Sequence, residues 1–419
     1  MGSTWMGGGR ATHCVGRALS SSVLLVAACG GQAPPAETFE VQDSAGVRIV
    51  TSVAPAWHEG EEWRLGPDPA LVLGGSGAPE EEQLWQVAGL ARAPDGRLVV
   101  SLAGASEVRV YSGNGERLVT LGGAGQGPGE FERAFAVAVV PPDTILAFDR
   151  LRMHTFLADG SLVTTSPFPA PNALGSGTGL QPVFPLPDRS MLALVGRFRG
   201  GGSPVGLYRP DQGTALIPAG GAAPILLGWY LGIEQEYKGE GDRRLSVVPP
   251  FARFSAVAAG GMADPRYATG DNAVYSIDIF DGSGALRQVV RRALPEIPVR
   301  AEWIEAWKDQ QRNASWTQGQ LPELERAWAS MAVPETLPWF EALHIDDLGY
   351  LWVQRNLGTL SGDLTYDVFT PDGVFGGTVL VPAGLWPLPQ PVITEDAFIG
   401  VWADELEVES VRVFPLERH

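Results

Sequence analysis

Arginines and carboxylates placed just after short apolar runs are the residues best equipped for chemistry in this chain. Asp149, Arg150 and Arg152 follow one such run, Arg197 and Arg199 a second, and Arg355 a third. A guanidinium offers a planar fork of donors that matches a carboxylate or sulfate, so five arginines gathered on one side would suit an anionic ligand. The competing expectation is that each arginine pairs with a neighbouring acid such as Asp149. Asp149, His154, Asn272 and Arg355 form a second set, whose acid, imidazole and amide groups are the types used for proton transfer and for orienting a substrate.

Other chemistries are excluded by spacing. The glycine-rich stretch from Gly122 to Gly129 has neither a dinucleotide fingerprint nor a P-loop, no Lys-Ser/Thr follows it, and the next apolar run reads as a strand. Its glycines are expected to let the chain cross from the outside of one sheet to the inside of the next. His58, His154 and His344 fall in unrelated segments, so no three-histidine zinc site is expected. G-x-S-x-G, H-E-x-x-H and EF-hand patterns are missing, and the Asp-Gly pairs read as hairpin turns. No cofactor is expected from these residues.

Candidate groups need a scaffold, and the chain writes one twice in tandem. Residues 71–100 lie over 119–148 without a gap, and Gly122 stands 48 positions after Gly74. Each copy reads as strand, glycine-rich loop, strand, Pro-Asp turn and strand, the grammar of a β-propeller blade. Further strands extend the pattern to six blades, with Gln181 to Leu186, Ser190 to Gly196, Val205 to Arg209 and Thr214 to Ile217 as the third. A long connection from Pro218 to Pro250 separates it from the fourth.

The last blade lacks an outer strand, and the segment beginning at Ala70 is an outer strand without inner partners. The two are expected to pair and close an all-β ring. One helical stretch, 299–332, interrupts blades four and five: Trp303, Ile304 and Trp307 share one face, as do Leu324, Trp328 and Met331. Its tryptophans suit helix-on-blade packing, with a sugar-stacking platform as the alternative. In such an arrangement the loops after second strands and the blade-to-blade connections open on one face. The long insertions all belong to that face.

The address is read at the start of the chain. Arg10 and Arg17 precede a short apolar stretch, and Val26-Ala27-Ala28-Cys29 follows, which resembles the bacterial lipobox. The expected organisation is a lipoprotein signal peptide over 1–28, lipidation at Cys29, a flexible tether over 29–42, and the propeller over 43–419. Cys14 is the only other cysteine, so no internal disulfide is expected in the mature chain. A net charge of −18 argues against a nucleic-acid partner and for solubility.

DSAGVRIV (43–50), GQGPGEF (125–131), HIDDLGYLWV (344–353), TPDG (370–373) and DELEVESVRVF (404–414) together resemble the bacterial six-bladed β-propeller lipoproteins, distant relatives of NHL-repeat propellers. The resemblance runs from Asp43 to the C-terminus and carries turn and strand motifs, with no catalytic residues to transfer. By analogy with that family, the absence of an aspartate after Cys29 implies an outer-membrane lipoprotein, attached through its lipid. The elaborated face, with no convergent titratable cluster, is expected to bind a protein partner or an extracellular glycan or metabolite without catalysis. The alternative is a propeller-type lyase or lactonase with Asp149, His154, Asn272 and Arg355 at the channel mouth, the one reading that leaves a place for calcium.

Overall fold

The structure is a computed structural model that describes residues 38–149, 152–170, 172–197, 206–238, 245–261, 263–314, 317, 319–358, 362–404 and 406–419. Strands dominate it. Runs such as Leu98–Leu102 are buried on both faces, so they read as continuous apolar stretches rather than alternating ones. Within each sheet most neighbouring strands pair antiparallel.

Six larger sheets result. The first joins Val87–Arg92, Leu98–Leu102, Glu107–Tyr111 and Arg117–Gly122, and the second joins Ala136–Val140, Thr144–Phe148, Arg152–Leu157 and Leu162–Pro167. The third contains Thr178–Pro185, Met191–Arg197, Asp211–Ile217 and Ile225–Leu231. The fourth runs Ser255–Gly260, Arg266–Asp271, Ser276–Asp281 and Leu286–Arg292, and the hairpin Phe39–Ser44 and Val47–Ser52 extends its edge, with Val47–Ser52 parallel to Leu286–Arg292. The fifth has Phe340–Ile345, Leu351–Arg355, Leu364–Phe369 and Phe375–Val381. In the sixth, Val392–Ile393, Ala397–Ala403 and Glu409–Glu417 are joined by Leu71–Gly74, whose Leu73 lies opposite Val411.

Apolar clusters bind each sheet to the next. Val99 and Val110 meet Val139 and Phe156 between the first and second sheets, and Phe148 meets Met191 between the second and third. Leu192 packs with Tyr267, then Ile277 and Val290 with Phe340 and Val353, then Trp352 and Tyr366 with Phe398 and Trp402. A further cluster sets Ile399 and Val411 of the sixth sheet against Leu98 and Val100 of the first. Each such side chain, fully buried, contributes roughly 1.5–3 kcal/mol, so the inter-sheet seams are the core.

Three expectations are corrected. Gly206–Tyr208 is not the third strand of the third sheet; it pairs with Gln235–Lys238 in a separate three-stranded sheet completed by Leu245–Val247. The outer strand of the third sheet, Ile225–Leu231, lies inside the segment expected to be a plain connection, with a register shift at Thr214/Ala215 breaking its pattern. Phe39 to Gln42, assigned to the tether, are already paired in the hairpin.

The small sheet and the helical insertion share a core of their own. Helices α1 (Ala301–Asn313) and α2 (Leu321–Trp328) bring Trp307, Leu324, Ala327 and Trp328 against Leu245 and Val247. Lys238 Nζ donates to Ala327 O at 2.6 Å and Ser330 Oγ at 3.0 Å, and Ala332 N donates to Glu236 Oε2 at 3.0 Å. Trp303 is seated on the loop after Leu351–Arg355, where a Cβ at Gly358 would lie 2.5 Å from the indole. Both insertions therefore form one cap fastened to the fifth sheet. No helix among the described residues is long and apolar enough to cross a membrane.

Candidate functional site

Asp149 ends the second strand of the second sheet and is 1% exposed. Its carboxylate accepts from Glu132 N at 3.1 Å, from Arg133 N at 3.4 Å and from Arg152 Nη2. Arg152 also donates to the carbonyls of Gln126 at 2.7 Å, Gly127 at 3.3 Å and Glu130 at 3.2 Å. The pair thus pins the glycine-rich stretch that crosses from the first sheet to the second. At Gly122, φ is +77° and a Cβ would come within 2.1 Å of Phe131, so this crossing needs glycine.

His154 is buried among Phe131 and Phe156, with Gly129 N at 3.3 Å and Thr165 Oγ1 at 3.0 Å from Nδ1. Burial lowers its pKa, helped by Arg152. Asn272, 1% exposed, accepts from Phe254 N at 2.8 Å and donates to Phe340 O at 3.2 Å, which ties the fourth sheet to the fifth. Arg197 meets Asp211 at 3.0 Å and lies over the Trp229 ring. Cys29, Arg150 and Arg199 lie outside the described residues. Asp149, Arg152 and His154 come together in the second sheet, while Asn272, Arg197 and Arg355 stand elsewhere.

Arg355 leads to a cluster that the sequence reading missed. Its Nη1 is 3.5 Å from Asp367 Oδ2, the atom that also receives the Tyr275 hydroxyl at 2.6 Å and Arg292 Nη1. Arg292 stacks its guanidinium 3.7 Å above Phe375. Burial, reinforced by Asp367, pushes the Tyr275 hydroxyl well above its usual range, so it stays neutral. Asp367 sits in LTYDVF (364–369), a strand with apolar residues on both faces; a charge inside such a run is the signal that was available.

A third set lines the top of the fifth sheet. Glu341 keeps an exposed edge, yet protein crowds it closely enough to push its carboxyl up to about 7. Gln354 Nε2 donates to it at 3.1 Å, and Tyr366 donates to Gln354 Oε1 at 3.1 Å. His344, buried on the same strand with neither ring nitrogen partnered among the described residues, is lowered to about 4 by burial. The Asp159 and Asp281 turns consume their carboxylates internally: Asp159 Oδ1 accepts from Ser161 N at 2.8 Å, and Asp281 Oδ1 accepts from Ser283 N at 2.9 Å and Ala285 N at 3.0 Å. There Gly284, rather than Gly282, takes the positive φ. Among the described residues no group of three or more His, Cys, Asp or Glu is placed to hold a metal ion.

Connections between sheets and loops after second strands leave from the same end of these meanders. On that end the cap covers part of the surface, and Trp85 (64% exposed), Trp386 (39%), Leu388 (69%) and Leu406 (80%) stand open on the connections around the sixth and first sheets. The rim is held by structure beneath it: Trp386 N donates to Val401 O at 2.8 Å, Leu84 bridges to Glu409, and Trp85 abuts Gly104.

No family model matches the chain, and no curated protein matches it. Solved structures similar to it include a DUF4221 family member from Bacteroides vulgatus at 10% identity, covering 86% of this chain and 99% of that one with a TM-score of 0.49. A candidate exported protein from Bacteroides fragilis is 12% identical over 88% of this chain and 99% of its own, with a TM-score of 0.46. Virginiamycin B lyase from Staphylococcus aureus is 10% identical over 85% and 99%, with a TM-score of 0.40.

Proposed function

We propose that the six larger sheets close as a six-bladed β-propeller, lipid-anchored through Cys29 at the outer membrane, and that its loop-rich face is a non-catalytic docking surface. The ring is supported by the pairing of Leu71–Gly74 with Glu409–Glu417 and by the sixth-to-first apolar cluster. The lipid anchor rests on the small residues before Cys29 and the basic residues before them. The partner is a protein, or an extracellular glycan or metabolite; an acidic body disfavours nucleic acid.

One observation carries the docking reading. The long insertions build a cap with its own core on this face, and beside it four large apolar side chains stay exposed on a rigid rim. Elaborated loops on a rigid scaffold, with aromatic residues open at their tips, are what binding faces require. The acid of Asp149, the amide of Asn272 and Nδ1 of His154 are engaged with backbone groups and loop atoms, while His154 Nε2 is buried without a partner among the described residues. The lyase or lactonase reading is disfavoured because its four residues, Asp149, His154, Asn272 and Arg355, do not converge on one site: the first two stand in the second sheet and the others in the fourth and fifth.

A photo-crosslinking residue at Trp85 or Leu406, compared with one at Val163 on the outer edge of the second sheet, tests the face in cells. Adducts of one defined mass at the rim and none at Val163 are expected. Equal labelling at all three positions, or calcium-dependent turnover of a lactone or polysaccharide by the purified protein, would overturn the proposal.

A further inference from the structure

The seam between the fourth and fifth sheets encloses more positive than negative charge. Arg292, Arg355 and Asp367 have side chains only 9%, 12% and 0% exposed, and the neutral Tyr275 adds a hydroxyl. Guanidinium stays protonated throughout the accessible pH range, so the cluster carries one uncompensated cation between Phe340, Phe369 and Phe375. A buried charge without its counter-ion is costly. The Arg418 cluster has the opposite balance, since Asp346 pairs with Arg418 and Asp347 stands beside them.

Hydrogen-bonding capacity is also left over. All three donors converge on Asp367 Oδ2, while Asp367 Oδ1, Arg292 Nε and Arg355 Nε are buried without a partner among the described residues. Buried polar atoms of native proteins are met by protein, water or ligand. Two spare N–H donors ask for an anionic acceptor, and one spare carboxylate oxygen asks for a donor beside it.

We propose that this seam binds a small hydroxycarboxylate, its carboxylate accepting from the Arg292 and Arg355 Nε–H groups and its hydroxyl donating to Asp367 Oδ1. One negative charge neutralises the cluster, and the narrow exposure of the two arginines admits only a compact ligand. The site is separate from the exposed rim, so either proposal can fail without the other.

Calorimetric titration of the purified protein with glycolate, at constant ionic strength, tests it. Saturable binding is expected, with acetate about tenfold weaker for want of the hydroxyl and Arg355→Gln about tenfold weaker for glycolate. Hydrogen exchange on the unmutated protein gives an independent readout: glycolate should slow the amides of Ser276–Asp281 and Leu364–Phe369. Absence of both binding and slowing overturns the site, as does glycolate binding unchanged by Arg355→Gln. Acetate or chloride competing on equal terms with glycolate overturns the hydroxycarboxylate assignment.

Discussion

The Asp149–Arg152 cluster of the second sheet and the Arg355–Asp367 cluster of the fifth are built from the same residue types near the ends of second strands, yet they dispose of their atoms differently. Arg152 spends both terminal nitrogens on three backbone carbonyls and a carboxylate, and Asp149 draws in two backbone N–H groups as well. The fifth-sheet cluster crowds three donors onto one oxygen and leaves the other empty. Where backbone groups consume the polar side chains, the cluster is a fastener for a loop. Where side chains meet chiefly each other and polar atoms remain unspent, hydrogen-bonding capacity is left for a guest.

Breaking the fastener should have the largest effect. Asp149→Ala removes the buried partner of the part-buried Arg152 and unpairs two amides, and is expected to cost about 3 kcal/mol, the low end of what removing one partner of a buried pair costs. Denaturant unfolding measures it; a loss below about 1 kcal/mol would mean that the glycine-rich crossing does not depend on this carboxylate. Gly122→Ala comes next. The φ of +77° and the approach to Phe131 make a Cβ strained and crowded, for a loss of about 2–3 kcal/mol. Neither change should alter glycolate binding in the seam.

Much of the architecture could be read before coordinates because β-strands advertise themselves locally. The 48-residue offset between Gly74 and Gly122, and the apolar runs on either side, mark the first two sheets strand by strand. The third sheet resisted for a physical reason: Gly206–Tyr208 has strand character but its partner is Gln235–Lys238, and pairing choice is decided by tertiary contacts that composition does not carry. The site was less legible still. Arg355 was singled out, but Arg292 and Asp367 come from two other strands in two sheets and Tyr275 from the bend before Ser276–Asp281, and only the charge within LTYDVF hinted at them. The exposed rim was invisible, because Trp85 and Leu406 look in sequence like any other apolar residues.

A pH experiment sharpens the contrast from the strand Phe340–Ile345. His344 has its folded pKa lowered to about 4 from 6.5, so the unfolded chain binds the extra proton between those values. Its contribution is present above 6.5 and is lost as pH falls through 4. Glu341, raised from 4.5 to about 7, acts in the opposite sense: its contribution is complete below 4.5 and is lost as pH rises through 7. Urea unfolding between pH 4 and pH 8 should show His344→Phe losing the acid-side decline and Glu341→Gln losing the neutral-side one. Unchanged slopes in both variants would show that crowding does not govern these groups.

The smallest effect belongs to Arg197, whose pairing with Asp211 looks on paper like that of Arg152 with Asp149. Here both partners are open to water, 42% and 36% exposed, so solvent screens the attraction and side-chain ordering offsets what remains. Arg197→Gln is expected to change stability by less than about 0.5 kcal/mol, with most of any loss coming from the contact over Trp229. Thermal unfolding of Arg197→Gln beside Asp149→Ala places the two on one scale. A loss approaching that of Asp149→Ala would show that exposure is the wrong variable for sorting the arginines. A negligible one leaves burial and backbone engagement as what separates fastener from surface pair, and leaves Arg292 and Arg355 as arginines of the seam whose unspent Nε–H groups still have to be accounted for.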